Sequence, residues 1–395
     1  MEAKKIKTLL QAVVNKNSSR KIIRYAQLRN GILRATDLAK EIIIDTGTML
    51  DGLLDVSLFS KTLSLVNSLN SDSTLSDADF PLPFEVGYFS ECERYELDPE
   101  LFNQDYSSYI PYCRKDKTHY AQHDRYTCLQ GINFDPQTGI CATNGHVMKH
   151  ENPSAEIAVP FIIHNESVKV LMHLTDCKSA SIYSKEDCEY LAVSGEGYAF
   201  STKLLERPYP DWKACIPSKK ACKEIVMSFS VVQELTAAIN TLLPFTNPKT
   251  HLIKLSGNEV QAFNRDLEKD VRVRCSQDIT PFKIGFDAQL FLQILSEINA
   301  DVTFYFLSAA GACTIQEQNR TLLIMPLLII EDIDAEEGAE TEPAYKPEYL
   351  EPAAPKKKTV SKKLDKVTEK LVLDLQETYG KKAVTDHLQA MELIG

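Results

Sequence analysis

The segment CATNGHVMKH, Cys141–His150, contains the residue types that most often carry chemistry. His146 and His150 are four residues apart, the spacing at which two histidines of one helix face bind zinc. Cys141 with His146 has the composition of a nucleophile and its base. However, the segment alternates as a strand–turn–strand unit and lacks the glutamate of a zinc helix. We therefore predict a packed strand residue at Cys141 and no metal site.

Other enzyme signatures are missing from the sequence. There is no GxxxxGK[ST] loop and no GxGxxG following a strand, so no nucleotide cofactor is predicted. None of the ten cysteines forms a Cys-x-x-Cys pair. In a reducing compartment such cysteines are typical of small buried hydrophobic residues rather than of disulfides or zinc ligands. The sequence predicts a protein that is not an enzyme and has no cofactor.

Composition is that of an ordinary soluble protein. The 395 residues are 44% hydrophobic and 25% charged, a length that suggests two or three domains. No stretch reaches the roughly 18–20 apolar residues of a membrane span, and the start MEAKKIKTLL lacks a secretory signal. We expect a cytoplasmic protein. The net charge of −11 argues against extensive nucleic-acid contact, unless basic residues collect on one face.

A strand followed by an amphipathic helix occurs three times. The three copies are Leu54–Leu69, Ile157–Leu174 and Phe282–Ile298. In the third, we expect Phe286, Leu290, Ile294 and Ile298 to share one helical stripe.

A glycine-containing hairpin precedes each of these helices. The hairpins are Leu28–Ile42, Pro136–His150 and Leu255–Val271, with Gly31, Gly139 and Gly257 where tight turns need φ > 0. Predicted helical segments, IKTLLQAVVN, DPELFNQDYSSYI and VVQELTAAINTLL, precede the hairpins. The sequence therefore predicts an α+β fold of three successive similar domains, each of antiparallel sheet plus helices.

Three motifs occur in the order found in one known family. CATNGHVM (Cys141–Met148) resembles the ATDGHRL signature of the bacterial sliding clamp, the β subunit of the replicative DNA polymerase. RPYPDWKACIP (Arg207–Pro217) resembles its FPDY segment, and LLIMPL (Leu322–Leu327) resembles the VVMPM ending of its last strand. The resemblance is good over about 93–330, fair over 1–85 and absent beyond 330.

The resemblance implies a function without catalysis. Two three-domain chains of this family join head to tail as a homodimeric ring around duplex DNA, which is held without sequence readout. Clamps tether polymerase and other replication proteins, whose short peptides with a hydrophobic end dock between the second and third domains.

Carried over position by position, the resemblance implies two sets of site residues. The peptide-binding groove would be lined by Leu129, Thr143, Gly145, His146, Met148, Pro210, Cys215, Leu323, Met325, Pro326 and Leu327. The DNA-facing residues, expected on the helices that line the hole, would be Lys4, Lys5, Lys7, Arg20, Arg24, Arg114, Lys115, Lys117, Lys219, Lys220 and Lys223.

The chain departs from the family pattern at several positions. Asn144 replaces the aspartate of the signature, while Val147 and Ala214 stand where the family often has arginine, which predicts a more apolar partner peptide. After Leu69 only a short polar stretch replaces three strands that include the family's dimer edge. Either Pro83–Phe89 rebuilds that edge and the ring closes, as we expect, or the chain is a clamp-derived scaffold without a ring.

The predicted domains are residues 1–90 (shortened), 91–217 and 218–330, followed by a flexible linker 331–360 and a helical tail 361–395. The linker changes from acidic to basic: residues 331–351 contain nine acidic residues and one lysine, and 356–370 contain seven lysines and two acidic residues. We expect the tail to recruit another replication or transcription protein, with packing on the body as the alternative. The diverged, shortened first domain and the added tail suggest a clamp from a mobile or viral genome.

Overall fold

The computed structural model describes residues 1–15, 17–70, 75–76, 79–82, 92–115, 127–185, 188–264 and 269–329. Met1–Glu331 form one compact unit. Pro83–Phe89, the predicted linker and the predicted tail lie outside the described residues. Within the described part of the chain, no helix is long and apolar enough to cross a membrane.

Short strands dominate the described residues, and five α-helices accompany them. The helices are α1 (Ala3–Val13), α2 (Val56–Thr62), α3 (Asn165–Leu171), α4 (Phe229–Leu242) and α5 (Ala288–Leu295). The strands are β1 (Tyr25–Arg29), β2 (Ile32–Thr36), β3 (Lys40–Asp45), β4 (Gly52–Asp55), β5 (Glu93–Leu97), β6 (Gly131–Asp135), β7 (Gly139–Thr143), β8 (Val147–Glu151), β9 (Phe161–His164), β10 (Cys177–Lys185), β11 (Cys188–Gly195), β12 (Tyr198–Lys203), β13 (Lys223–Met227), β14 (Leu252–Gly257), β15 (Glu259–Asn264), β16 (Lys269–Arg274), β17 (Thr280–Asp287), β18 (Val302–Phe306), β19 (Cys313–Gln316) and β20 (Arg320–Ile324).

These strands form three antiparallel sheets. The first has the order β4-β1-β2-β3-β12-β11-β10-β5, the second β13-β18-β19-β20-β8-β7-β6-β9, and the third β16-β15-β14-β17. Two contacts join strands that are far apart in the sequence: β3 with β12, the first seam, and β8 with β20, the second seam. Each eight-stranded sheet therefore consists of two four-stranded halves that meet at a seam.

The predicted internal repeat is confirmed. The strand–helix pairs β4–α2, β9–α3 and β17–α5 recur, each with a side chain that caps the helix. Asp55 and Asp287 each accept two backbone N–H groups of the following helix, and His164 Nδ1 accepts one. The repeats thus comprise β1–β4 with α1 and α2, β5–β12 with α3, and β13–β20 with α4 and α5.

The hairpin turns of the first two repeats are built alike. Thr36 Oγ1 donates to the carbonyl of Lys40, and Thr143 Oγ1 donates to that of Val147, 2.8 and 2.7 Å away. Asp37 Oδ1 accepts the N–H groups two and three residues further on, and the amide oxygen of Asn144 does the same. Asparagine therefore preserves the turn in which the family signature has aspartate, and Glu41 on β3 occupies the position of Met148 on β8.

The predicted positive φ angles are confirmed at the three hairpin glycines: +81° at Gly31, +78° at Gly139 and +57° at Gly257. A side chain at Gly139 would approach the carbonyl oxygen of Glu151 to 2.6 Å. Glycine is therefore required there both for its backbone conformation and for the close approach of the neighbouring strand.

Two predictions about helices are wrong. The segment 98–110 contains two short 3-10 turns, Pro99–Phe102 and Ser107–Tyr112, in place of an α-helix. Pro111 lies inside the second turn, where its missing N–H and its ring oppose the continuation of an α-helix. Phe286, expected on the helical stripe, is the penultimate residue of β17, because the helix begins only after the cap Asp287.

The core lies where the helices pack on the sheets. Helix α1 contacts β2, β3, α2 and α3, and it buries Ile6, Leu9, Leu10 and Val13. Phe134 and Phe161 stack with ring centroids 4.8 Å apart in the second repeat. Burial of these side chains, about 1.5–3 kcal/mol each, holds the repeats together.

A buried carboxylate lies at the first seam. Glu41 is 1% exposed, and neither carboxylate oxygen has a hydrogen-bond partner. The nearest cationic atom is Nη1 of Arg34, 3.9 Å away. Burial raises the pKa of Glu41 to about 7, and the charge of Arg34 opposes this only in part.

We predict that Glu41 makes the protein less stable at alkaline pH. Because its pKa is higher in the folded state, its contribution is complete below about pH 4.5 and is lost as the pH rises through about 7. Relative to Glu41→Gln, the wild type should lose up to about 3 kcal/mol of unfolding free energy over this range, measured by urea unfolding. Glu196→Gln, at an exposed carboxylate, is the control. Parallel pH curves for wild type and Glu41→Gln would contradict the prediction.

Candidate functional site

The second seam brings distant segments of the chain together. β8 and β20 pair over five positions, from Glu151 with Arg320 to Val147 with Ile324. The backbone contact continues past β20, where the N–H of Met325 donates to the carbonyl of His146 over 2.8 Å. The Asn144–His146 turn therefore lies beside the chain segment that follows β20.

An apolar cluster covers one face of this seam. Met148 and Leu323 are register partners, and they pack in one buried cluster with Cys141, Ala312 and Trp212. Tyr209 contacts this cluster and also the adjoining one formed by Cys128, Leu129, Ile162 and Leu205. We call the Cys141, Met148, Trp212, Ala312 and Leu323 set the groove cluster.

The segment that joins the second and third repeats is held over the groove cluster. The hydroxyl of Tyr209 accepts a hydrogen bond of 3.0 Å from the backbone N–H of Thr143, and burial raises its pKa. The ring of Trp212, the single tryptophan of the chain, lies 4.4 Å from the ring of His150. Nε2 of His150 contacts the carbonyl of Thr138 at 2.7 Å, which fixes the imidazole beneath the indole.

The predicted groove residues differ in exposure. Leu129, Met148 and Leu323 are buried, Thr143, Pro326 and Leu327 are half-buried, and the others are exposed: Gly145, His146, Pro210, Cys215 and Met325. Leu327 pairs with a different strand: its N–H donates to the carbonyl of Gly285 in β17 over 2.8 Å. The residues thus form an apolar floor with a more exposed rim.

Sequence reasoning missed Tyr209, Trp212, Cys141 and Ala312 as parts of this surface. Tyr209 and Trp212 lie within RPYPDWKACIP, so aromatic residues between the prolines of that motif were an available signal. Ala312, just before β19, offers no such signal. Val147 lies fully buried in the main core, so the arginine typical of the family at this position would not fit without rearrangement.

The predicted DNA-facing residues do not form one helical surface. Lys4, Lys5 and Lys7 lie on α1, and Nζ of Lys5 donates to the hydroxyl of Thr175 over 2.9 Å. The guanidinium of Arg24 donates to the carbonyl of Ser18 within its own loop. The rest lie in turns, loops or at a strand start: Arg20, Arg24, Arg114, Lys115, Lys219, Lys220 and Lys223, while Lys117 is outside the described residues.

Two of the predicted lysines of the third repeat, Lys219 and Lys223, lie against sheet residues. Nζ of Lys219 donates to the carbonyl of Gln316 and lies 4.8 Å from the ring centroid of Tyr305. Nζ of Lys223 lies 4.6 Å from the ring centroid of Phe282. Helices α4 and α5 themselves contain no lysine or arginine. The basic residues carried by α-helices are therefore unevenly distributed among the repeats.

Within the described residues, cysteines and histidines form no alternative centre. The ten cysteines form no disulfide, six of them are buried, and Cys215 is exposed. Among the residues that the structure describes, no group of three His, Cys, Asp or Glu side chains could hold a metal ion.

The architecture matches solved structures throughout most of the chain. A DNA polymerase sliding clamp from Pseudomonas aeruginosa, solved with a ligand, is 17% identical, with a TM-score of 0.63 over 83% of this chain and 99% of that chain. A DNA polymerase III subunit beta from Bartonella birtlesii, bound to griselimycin, is 18% identical, with a TM-score of 0.65 over 83% and 98%. The beta subunit from Thermotoga maritima is 15% identical, with a TM-score of 0.63 over 83% and 97%.

This chain has the sliding-clamp fold. No family model and no curated protein matches the sequence. The second seam, with its groove cluster, is part of this clamp fold.

We predict that Tyr209→Phe destabilises the second seam. The substitution removes the acceptor of the Thr143 N–H and should lower the unfolding free energy by about 1–3 kcal/mol, measured by urea unfolding. Tyr95→Phe removes an exposed hydroxyl that donates to Glu93 and should change it by less than about 0.5 kcal/mol. Equal effects of the two substitutions would show that the Tyr209 hydroxyl does not hold the segment that joins the second and third repeats.

Proposed function

We propose that this protein is a non-enzymatic sliding clamp that encircles duplex DNA as a homodimer and tethers polymerase and other replication proteins. It would act in the cytoplasm of a bacterium or of an infected host cell. Its three domains would be 1–90, 91–217 and 218–330. The observation that best supports ring formation is how the seams are built. Two seams are complete, and one further strand occupies the position from which another seam could form.

That strand is β16. Ala35 pairs with Ile42, Ala142 with Lys149 and Ala262 with Val271, so β16 follows the third hairpin as β3 and β8 follow theirs. β3 pairs onward with β12, and β8 with β20, whereas within the described part of the chain β16 pairs only with β15. An open strand edge is a template for another strand. We propose that a second copy supplies it and closes the ring.

DNA would be held by long-range attraction rather than by base contacts. Lys4, Lys5 and Lys7 share α1, and we propose that this helix supplies the largest part of that attraction, with weaker contributions from the remaining basic residues. Because α4 and α5 contain no basic residue, we expect a shallow dependence of DNA binding on salt.

Protein partners would dock at the groove cluster and its rim. The floor is apolar, and the exposed Met325 has a flexible thioether that adapts to varied apolar side chains. A short peptide with a hydrophobic end suits such a surface. Griselimycin, which is bound in the Bartonella birtlesii clamp structure, is a suitable probe for this groove.

A clamp-derived scaffold without a ring is the second candidate. The α-helices of the third repeat, α4 and α5, which contain no lysine or arginine, favour it. Such a scaffold would recruit replication or transcription proteins through the same groove, and through the tail 361–395, without enclosing DNA.

Encirclement predicts topological retention. The full chain should be a dimer by light scattering and, once loaded on closed circular DNA, should remain bound through a high-salt wash. Linearising the DNA should release it, because a ring leaves through a free end. A monomer that is lost equally from circular and linear DNA would replace the ring with the scaffold.

Groove binding predicts a local effect of charge. Met325→Glu should weaken griselimycin binding at least about tenfold, because a carboxylate at the rim opposes apolar contact. Fluorescence of Trp212, which lies in the groove cluster, provides the titration signal. Val226→Glu alters a more exposed apolar residue on β13 and should leave the affinity unchanged. Identical affinities of both variants and the wild type would exclude this surface as the griselimycin site.

A further inference from the structure

A buried lysine lies directly behind the groove cluster. Lys149 follows Met148 on β8, so the two side chains point to opposite faces of the second sheet. Lys149 is 3% exposed. Its Nζ donates to Oε2 of Glu297 over 2.9 Å and to the hydroxyl of Ser108 over 2.8 Å, and it lies 3.4 Å from Oε1 of Glu151.

The partners of Lys149 come from both sides of the second seam. Ser108 and Glu151 belong to the second repeat, whereas Glu297 follows α5 in the third repeat. Glu297 is also held by Arg320 of β20: Nη1 donates to its carbonyl over 3.0 Å and lies 3.7 Å from Oε2. The network therefore connects the two strands of the seam, the turn before residue 113 and the end of α5.

Aromatic contacts complete the environment of the ammonium group. Nζ of Lys149 lies 4.9 Å from the ring centroid of Tyr109, and the hydroxyl of Tyr109 donates to Oε2 of Glu151 over 3.0 Å. The charge is thus surrounded by carboxylates, a hydroxyl and a ring face. This many fixed partners restrict the position of β8 relative to Glu297 far more than a single exposed ion pair does.

The clamp fold does not require an ion pair at this position. At the first seam the corresponding residue is Ile42, which is fully buried in the apolar core. Burying a charged network is costly, and a well-packed apolar side chain is often as stable. The network at the second seam therefore contributes a fixed geometry that apolar packing alone leaves looser.

We propose that Lys149 is a positioning residue for the groove. By binding Glu297 it ties β8 to the end of α5, and so fixes the part of the sheet that carries Met148 and Leu323 on the groove floor. The floor would loosen when this link is cut. The inference rests on the proposed peptide-binding role, but its geometric part is testable in the free protein.

The test uses the single tryptophan in the full chain. The probes are acrylamide quenching of Trp212, measured without ligand, and titration with griselimycin. The variants are Lys149→Met, Glu297→Gln, their combination and Lys149→Arg. Lys169→Met is the matched control, since it cuts the exposed ion pair with Glu166 on α3.

Lys149→Met should raise the quenching constant of Trp212 about twofold and weaken griselimycin about tenfold, whereas Lys169→Met changes neither. Lys149→Arg should keep the Trp212 quenching constant and the griselimycin affinity close to those of the wild type, because arginine keeps the charge. The double variant should be no worse than the more affected single variant, since both substitutions cut one link.

Unchanged quenching in Lys149→Met would overturn the proposal, as would strictly additive effects in the double variant or no recovery with arginine. If griselimycin does not bind the wild type, the proposed use of the groove fails. The quenching series still decides whether Lys149 fixes the seam.

Discussion

The structure depends on backbone hydrogen bonding between strands that are far apart in the sequence. β3 pairs with β12, and β8 pairs with β20, across more than 150 positions in each case. These ladders turn separate four-stranded halves into continuous sheets, so each repeat loses an exposed edge and gains a neighbour. The same ladder places the His146 turn beside Met325. The groove exists because two independent walls are aligned by main-chain bonds.

The similarity of the seams makes their differences informative. On the groove side of the strand that follows the hairpin, the first repeat has Glu41 and the second has Met148. An apolar peptide end would have to pack against a carboxylate at the first position, and this costs free energy unless the acid is neutral. A fold with threefold internal repetition thus offers an apolar groove at the seam where the acid is replaced by methionine.

Much of the architecture was predictable from local patterns. The three hairpins were visible through their glycines, and α1, α4 and α5 through amphipathic spacing, because these features depend on neighbouring residues. The short turns at 98–112 were missed, since the apolar spacing resembles a helix, although Pro111 opposes one in the second turn. Phe286 was misplaced by the same signal, because a spacing of four does not reveal where a strand ends and its cap begins.

The site could be predicted only in part, for a physical reason. A family resemblance indicated residues from four separate segments, and the structure places His146 beside Met325 and Met148 opposite Leu323. The resemblance could not reveal the Lys149–Glu297 contact, because that pair joins residues 148 positions apart and neither belongs to a motif. Long-range ion pairs leave no periodic signal, so only coordinates disclose them.

The small number of basic residues on the helices is compatible with the proposed sliding on DNA. A protein that binds DNA by attraction alone needs many cationic contacts, and its affinity falls steeply with salt. A closed ring is retained by topology, so contacts need only centre the duplex, and strong ones would slow movement along it. Lys4, Lys5 and Lys7 on α1, together with basic-free α4 and α5, fit weak and uneven guidance. For an open scaffold the same distribution would leave DNA poorly held, so the proposed function on DNA depends on the proposed closure at β16.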